Sequence, residues 1–547
     1  MLILRISHKR RDQNRMASFA HFLIPLFPLV MFFIFLYKWQ SSNNNHAQKR
    51  VPPSPRKLPV IGNLHQIGLS LHKSLHSLST KHGPLMLLRF GRVPVLVVSS
   101  ADAAREILKN QDSIFSNRPK LTIPYKLFYG SKDSVFSPYG DYSNNMRDVY
   151  IHHLMSVHRS SFRDARDEET SLMILNMTRQ SSSVVINLSD MLASLAHNVF
   201  CRVAFGRKYS IKCDEGRELR MKLNEEMEML GSTYCVGDHI PWLAWIDRVS
   251  GLNAKVEKLA KWFDRFLETV LEEHRAKNII GESVDFVDIL IELQRSNDKD
   301  GSFAVGDDDI KGVIHYYEKI LRHAFSTIFR FFFLQNTFVG GIEATFSVME
   351  WTMAELLKNP NKMEKLQHEV RRVAGYNDEI TEDDLEKLHY LKAVIKESIR
   401  LHSPAPLLVR ESTQDTKVTG YDVPAGTMVV VNTWSIGRDP MLWENPEDFN
   451  PERFLDNNMD FKGVHFEFIP FGAGRRGCPG MDYVTVLSEL AIARLVHKFN
   501  FDLPDQARKN DLDVSETAGA IAHLQFPLLV GVTESLYFLE ESWDSRQ

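Results

Sequence analysis

With 547 residues and 44% hydrophobic composition, the chain is long enough for a large core or for several domains. A formal net charge of −3, from 66 Lys and Arg against 69 Asp and Glu, gives no electrostatic reason to expect nucleic acid. Four cysteines, Cys201, Cys213, Cys235 and Cys478, cannot form a disulfide scaffold in a chain of this length and point to a reducing compartment.

Residues 1–18 read as an N-terminal extension, followed at 19–37 by FAHFLIPLFPLVMFFIFLY, which is apolar but for His21. That stretch is long enough to span a bilayer and too long for a signal-peptide core, so one transmembrane anchor is expected. A buried core helix is the plainer reading, opposed by Pro25, Pro28 and the terminal position. Arg5, Lys9, Arg10, Arg11 and Arg15 precede the anchor and Lys38, Lys49, Arg50, Arg56 and Lys57 follow it, which leaves orientation open. Translation from Met16 would leave only the later cluster and put the bulk of the chain in the cytosol. Residues 38–69 form a polar linker and then VPPSPRKLPVIGNLHQIG, whose four prolines predict a stiff, extended hinge.

From residue 70 to 547 no fixed-period repeat and no second linker appears, so a single large domain is expected, mainly α with small β-sheets. PLMLLRF with VPVLVVS, and later KVTGYDVPAGTMVVVN with turns at Gly420 and Gly426, predict strands. Helical periodicity runs through ADAAREILKN, KVEKLAKWFDRFLETVLEEHRAK and NKMEKLQHEVRRVAG. Residues 311–335 are harder to place, because one helix from Lys311 to Lys358 would be about 70 Å long. The aromatic and basic stretch 315–335 is therefore expected to be a separate element or an insert. In FVGGIEATFSVMEWTMAELLKNP, Phe338 to Pro360, Gly340 and Gly341 each cost about 1 kcal/mol against Ala in a helix, and Glu343 sits on an apolar face. Thr381 and Asp384 suit a capping box, from which a helix is expected to continue to a stop before Pro404.

FIPFGAGRRGCPG, Phe468 to Gly480, admits two readings. GAGRRG after strand-like HFEFIPF matches a dinucleotide fingerprint, with Asp502 at a plausible distance, but too little chain follows for the repeated βαβ units of such a sheet. Alternatively Cys478 is a thiolate ligand. The glycines would let backbone approach a flat cofactor, amides would donate to sulfur, and Arg476 would meet a carboxylate of that cofactor. An inert buried cysteine is the ordinary alternative.

Phe471, Gly474, Arg476, Cys478 and Gly480 together spell F-x-x-G-x-R-x-C-x-G, which resembles the haem-binding loop of the cytochrome P-450 superfamily. Glu397 and Arg400 in KESIR match that family's E-x-x-R, Arg453 in NPERF its third ion-pair member, and the proline-rich hinge its microsomal branch. The resemblance covers about Phe19 to Thr533 and is nearest to plant members of the seventy-one type. It implies the cytochrome P-450 fold, haem b with Cys478 as axial thiolate favouring O–O cleavage, and a structural role for Glu397, Arg400 and Arg453. It further implies electrons from NADPH through a membrane-bound reductase facing the Cys478 side, cytochrome b5 as a possible second donor, O₂ as acceptor, and an endoplasmic reticulum membrane setting with the catalytic domain in the cytosol. A small lipophilic substrate would be recognised by Tyr125 to Phe136, Val339 to Ala344, Ala405 to Val409 and Ala518 to Leu524.

This sequence departs from the family pattern at four places. Gly340, Gly341 and Glu343 fit its oxygen-groove motif, in which the glycines open the groove and the acid relays protons, but the threonine position is Ala344. Thr345 lies about 100° further round, so it could serve only if the helix unwinds locally; Glu343 and Thr345 are the catalytic candidates. The W-x-x-x-R that grips a haem propionate is here Ser143 with Arg147. LLVRES lacks the proline usual before its cofactor-side arginine, Arg410, and 315–335 interrupts the approach to the groove helix. Three functions stay open: a monooxygenase of plant specialised metabolism, a haem-thiolate dehydratase or isomerase with no need of the threonine, and an inactive member disrupted by the insert.

Overall fold

A computed structural model of the chain describes residues 31–32, 50–128, 130–149, 151, 160–180, 185–210, 213–231, 234–276, 285–289, 327–375, 377–455, 457–504, 512–517 and 519–535. Two units divide it, Met1–Pro52 with Gly420–Asp422, and Pro53–Thr419 with Val423–Gln547. In the first, the Arg50 amide donates to Asp422 Oδ2 at 2.9 Å and its guanidinium lies 5.4 Å from the Tyr421 ring centre. The second unit carries every candidate site residue.

Its longer elements follow the periodicity of the sequence. Helix α1 (Leu71–His82) leads to strands β1 (Leu85–Phe90) and β2 (Val93–Val98), whose turn is made possible by Gly91 at φ +57. Any Cβ there would collide with the carbonyl oxygen of His239. Helix α2 (Ala101–Arg105) runs on as a π-turn to Asn110, and α3 (Asp141–Val149) and α4 (Ser160–Gln180) come next. After the short β3 (Ile186–Asn187), α5 (Leu188–Phe205) starts where the Asn187 side chain accepts from the Asp190 amide and stops at left-handed Gly206. Helices α6 (Asp214–Gly231) and α7 (Leu252–Ala276) complete the first half.

Helix α8 (Thr327–Lys358) spans 32 residues, about 48 Å at the α-helical rise. Residues 327–335 therefore belong to the groove helix rather than to a separate element, while 315–326 lie outside the described residues. From Ile342 to Leu357 nearly every side chain is buried, as expected for a helix enclosed on all sides, and α5 packs on it at Phe200. Helix α9 (Pro360–Ala374) follows directly. The predicted capping box of Thr381 and Asp384 is present, but the helix it opens is a 3-10 segment that ends at Lys387. Leu388, at φ −92 and ψ 74, breaks it, and α10 (His389–Leu401) starts afresh. The break lets the Tyr390 and Leu391 amides donate to the Glu369 carboxylate at 2.8 and 3.0 Å, a tertiary cap that local sequence does not announce.

Strands β4 (Leu407–Glu411), β5 (Thr416–Val418), β6 (Tyr421–Val423) and β7 (Met428–Asn432) fall in the expected runs. The main sheet has the order β1-β2-β7-β4, with β2 and β7 parallel and the outer pairs antiparallel. Central β7, MVVVN, is buried at every residue, as a strand covered on both faces should be. Helix α11 (Met481–Lys498) follows the cysteine loop, and β8 (Phe499–Asp502) and β9 (Leu529–Glu534) close an antiparallel sheet with β3. HFEFIPF forms no strand, which removes the strand that a dinucleotide-binding turn would need. No described helix is long and apolar enough to cross a membrane, and the expected anchor lies outside the described residues except for 31–32.

Candidate functional site

Left-handed Gly472 and Gly474, at φ +72 and +69, fold the loop before α11 back on itself. The Gly477 amide donates to Gly474 O at 3.0 Å and the Cys478 amide to Phe471 O at 2.9 Å, closing the turn that presents the cysteine. A Cβ on Gly474 would collide with Leu108 O and meet Asp112 Oδ1 at 2.7 Å, so this glycine also seats the loop on the end of the π-turn after α2. Cys478 is half-buried; burial raises its thiol pKa, opposed by the Gly480 amide donating to sulfur and by the charge of Arg147. Gly480 caps α11 and Phe471 packs against Phe461 with ring centres 5.2 Å apart.

Four arginines meet beside this loop. Arg476 donates only to backbone, to Ser116 O at 3.0 Å, Ser134 O at 3.2 Å and Ser137 O at 2.7 Å. Arg410 on β4 is buried and donates to Val409 O and Arg476 O, both at 3.2 Å. Burial, and then the charge of Arg476, pushes its pKa down to about 10. Arg118 donates to Val409 O, yet its buried Nε has no partner among the described residues. Its pKa is held well below the ordinary value by burial and by the charges of Arg410 and Arg476, with Asp133 opposing. Arg147, on α3, reaches Arg475 O at 3.2 Å and Gly477 O at 3.0 Å. Ser143, in the expected tryptophan position, turns away into the start of α3, donating to Gly140 O at 2.9 Å and accepting from the Gly140 amide at 3.1 Å. The group that such a pocket suits carries carboxylates, and a haem with two propionates beside a thiolate donor fits it.

Glu397, Arg400 and Arg453 form a second, different cluster. Arg400 Nε and Nη2 hold Glu397 Oε2 and Oε1 at 2.7 and 2.8 Å, and Arg453 Nε reaches Oε1 at 3.0 Å. The Asn450 amide adds a bond to Oε1 at 2.8 Å, and Arg400 Nη1 takes Gly437 O and Pro446 O at 2.6 and 2.8 Å. Glu397 and Arg400 are buried, Arg453 is partly exposed, and all three are partnered, which staples the irregular segment 437–453 to α10.

On α8 the two catalytic candidates separate. Thr345 is fully buried and its hydroxyl donates to Gly341 O at 2.6 Å within an unbroken helix, so the local unwinding that would bring it round to the position of Ala344 is not present. Gly341 is required by packing, since a Cβ there would stand 2.6 Å from Phe200 Cε2, whereas a Cβ on Gly340 would meet nothing. Glu343 Oε2 pairs with His523 Nε2 at 3.0 Å. The segment carrying His523 is clamped to α8: Ala522 O accepts from Ser347 Oγ at 2.7 Å and Trp351 Nε1 at 3.1 Å, and the Leu524 amide donates to Glu350 Oε2 at 3.1 Å. Arg118 and His523 were missed from the sequence. Arg118 lies in no motif, while His523, alone among apolar residues in AGAIAHL, did leave a signal.

The cytochrome P450 family model matches residues 52–315 and 333–525, leaving 316–332 unmatched. Cytochrome P450 71A6 of Nepeta racemosa is 47% identical, covering 93% of this chain and 98% of its own, and (+)-menthofuran synthase of Mentha piperita is 46% identical, covering 92% and 97%. A zebra fish cytochrome P450 solved with abiraterone superposes with a TM-score of 0.68 at 27% identity, covering 86% of this chain and 100% of that one. Matched over most of its length in sequence and in fold, the chain belongs to the cytochrome P450 family, haem enzymes of monooxygenase type in which a cysteine thiolate binds the iron.

Proposed function

We propose that this cytochrome P450 inserts one oxygen atom from O₂ into a small lipophilic substrate of plant specialised metabolism, with electrons from NADPH through a membrane-bound reductase. Cys478 would bind the haem iron through its thiolate, and Arg118, Arg410, Arg476 and Arg147 would be available to hold the cofactor's carboxylates. When bound, haem supplies the iron that takes electrons and activates O₂. The observation that carries the reading is the buried Nε of Arg118, without a partner among the described residues, within a cluster of cations beside a half-buried thiol. Apolar Leu407, Leu408, Val409 and Ile521 support a lipophilic substrate, and the plant relatives, among them a menthofuran synthase, support the metabolic setting. The anchor at 19–37 and an endoplasmic reticulum location with the domain in the cytosol belong to the same proposal, as does cytochrome b5 as a second donor.

The test is a reduced carbon-monoxide difference spectrum of the membrane-expressed protein. A Soret band at about 450 nm is expected, lost in Cys478→Ala; no haem uptake overturns the reading. Ala344 favours a second reading, dehydration or rearrangement of an already oxygenated substrate. Turnover without NADPH or O₂ would select it.

A further inference from the structure

We infer that Glu343 and His523 form a proton-carrying pair that takes the place of the hydroxyl missing at Ala344, with His523 positioning and reprotonating the Glu343 carboxyl. This rests on the monooxygenase reading above. The pair joins α8 to the segment before β9 through Nε2 and Oε2 at 3.0 Å, and both side chains keep a small exposed edge, 17% for His523 and 11% for Glu343. Only one carboxylate oxygen is engaged by His523, and Glu343 sits immediately before Ala344 on an unbroken helix.

Two features suit the histidine to exchange protons rather than merely to brace the fold. Its Nδ1 is buried and has no partner among the described residues, so one ring nitrogen is free to take up a proton while the other gives one. The ring is also held still: it stacks on Phe346 with centres 5.0 Å apart, and the neighbouring Ala522 carbonyl and Leu524 amide are fixed by Ser347, Trp351 and Glu350. Thr345 offers no alternative route, since its hydroxyl is bound to Gly341 O.

The stoichiometry closes without a further reactant. Substrate, O₂ and NADPH with one proton give hydroxylated substrate, water and NADP⁺, the electrons arriving through the reductase. In each transfer a proton leaves the Glu343 carboxyl for reduced oxygen, the His523 Nε2 proton replaces it at Oε2, and the ring is reprotonated by water reaching its exposed edge. The other titratable groups facing the pair are few. Glu350, on α8, has its pKa raised by burial and is held by Ser189 Oγ at 2.5 Å and the Leu524 amide. His197, on α5, is pushed down to about 4 by burial and stays neutral over the working range.

The experiment uses the full chain with its reductase in membranes and geraniol as a lipophilic probe, reading peroxide released per NADPH from pH 5 to 9. His523→Gln should raise peroxide release about threefold or more and flatten its pH dependence, and Glu343→Gln should do the same. Adding Ala344→Thr to His523→Gln should restore low peroxide release, because a local hydroxyl then supplies the second link. Independently of turnover, thermal unfolding of the two single variants and the double should be non-additive, as for a direct pair. Unchanged peroxide release and pH profile in His523→Gln with the carbon-monoxide band retained overturns the inference, and so do additive unfolding shifts. Absence of that band in the unsubstituted protein overturns the monooxygenase reading itself, and the inference falls with it.

Discussion

The arginines around Glu397 and those around the Cys478 loop are the same side chain in opposite circumstances. Arg400 and Arg453 share one buried carboxylate and spend their remaining donors on the carbonyls of 437–448, so the cluster is complete within the chain. Arg118, Arg410 and Arg476 instead share one buried neighbourhood: burial lowers all three pKa values, helped by Arg410 and Arg476 at Arg118, by Arg476 at Arg410 and by Arg147 at Arg476, and Arg118 Nε has no partner among the described residues. A closed ion-pair network holds a fold together; a crowd of unmatched cations stores electrostatic cost that only an incoming anion relieves. The contrast separates arginines whose charge is met by a carboxylate of the chain from arginines whose charge is not met among the described residues.

Substitutions can break this comparison, beginning with the largest effect. Glu397→Ala strips the shared acid from the buried Arg400 and the partly exposed Arg453 and should lower stability by about 3–5 kcal/mol, measured by urea unfolding, with haem lost as the 437–453 segment loosens. Arg118→Met should act in the opposite direction on the cofactor-free protein. Removing a buried cation with an unpartnered donor among the described residues should leave apo stability equal or higher, while haem retention, measured by transfer to apomyoglobin, falls about ten- to a hundredfold for the loss of a charged hydrogen bond of about 1.5–3 kcal/mol. A drop in apo stability as large as that of Glu397→Ala would erase the distinction. Gly474→Ala tests the seat of the loop rather than its charge: a Cβ against Leu108 O at a left-handed φ should cost about 1–3 kcal/mol and shift the Soret band by displacing Cys478.

A last test concerns an acid that is neither closed off nor unmatched. Burial pushes Glu516 up, but hydrogen bonds from His72 and Lys73 win and hold it down to about 2. A carboxyl depressed in this way contributes stability that is fully present above its unfolded value of about 4.5 and is lost as pH falls toward 2. Unfolding temperatures of Glu516→Gln should therefore lie below those of the unsubstituted protein at pH 6 and converge with them near pH 2.5; a constant offset across that window contradicts the assignment.

Chemistry confined to one turn or one loop was legible in the sequence. Glu397 and Arg400 are three residues apart on a helix, and Phe471 to Gly480 is one continuous turn, so residue type and spacing already placed their atoms. The hairpin of β1 and β2 was equally plain, because a β-branched run bounded by a glycine turn has few other ways to fold. Where reading failed, a distant partner decided. The helix expected to run on from Thr381 breaks at Leu388 because Glu369, on another helix, caps the new start. At Gly341, expected to open a groove for oxygen, a second demand comes from Phe200, far away along the chain, which leaves no room for a Cβ. Thr345 kept its helical hydrogen bond, so the local unwinding that would have brought it round does not occur.

By itself the sequence determined the family, the thiolate candidate and the ion-pair helix, since each is written in covalent spacing that folding preserves. Only the tertiary structure decided that Arg118 lies among the other cations and that His523 meets Glu343, because those contacts join residues far apart along the chain. Burial, the loss of water around a charge, turns such meetings into perturbed proton affinities and unmet hydrogen bonds, and burial is a property of the packed molecule rather than of any segment.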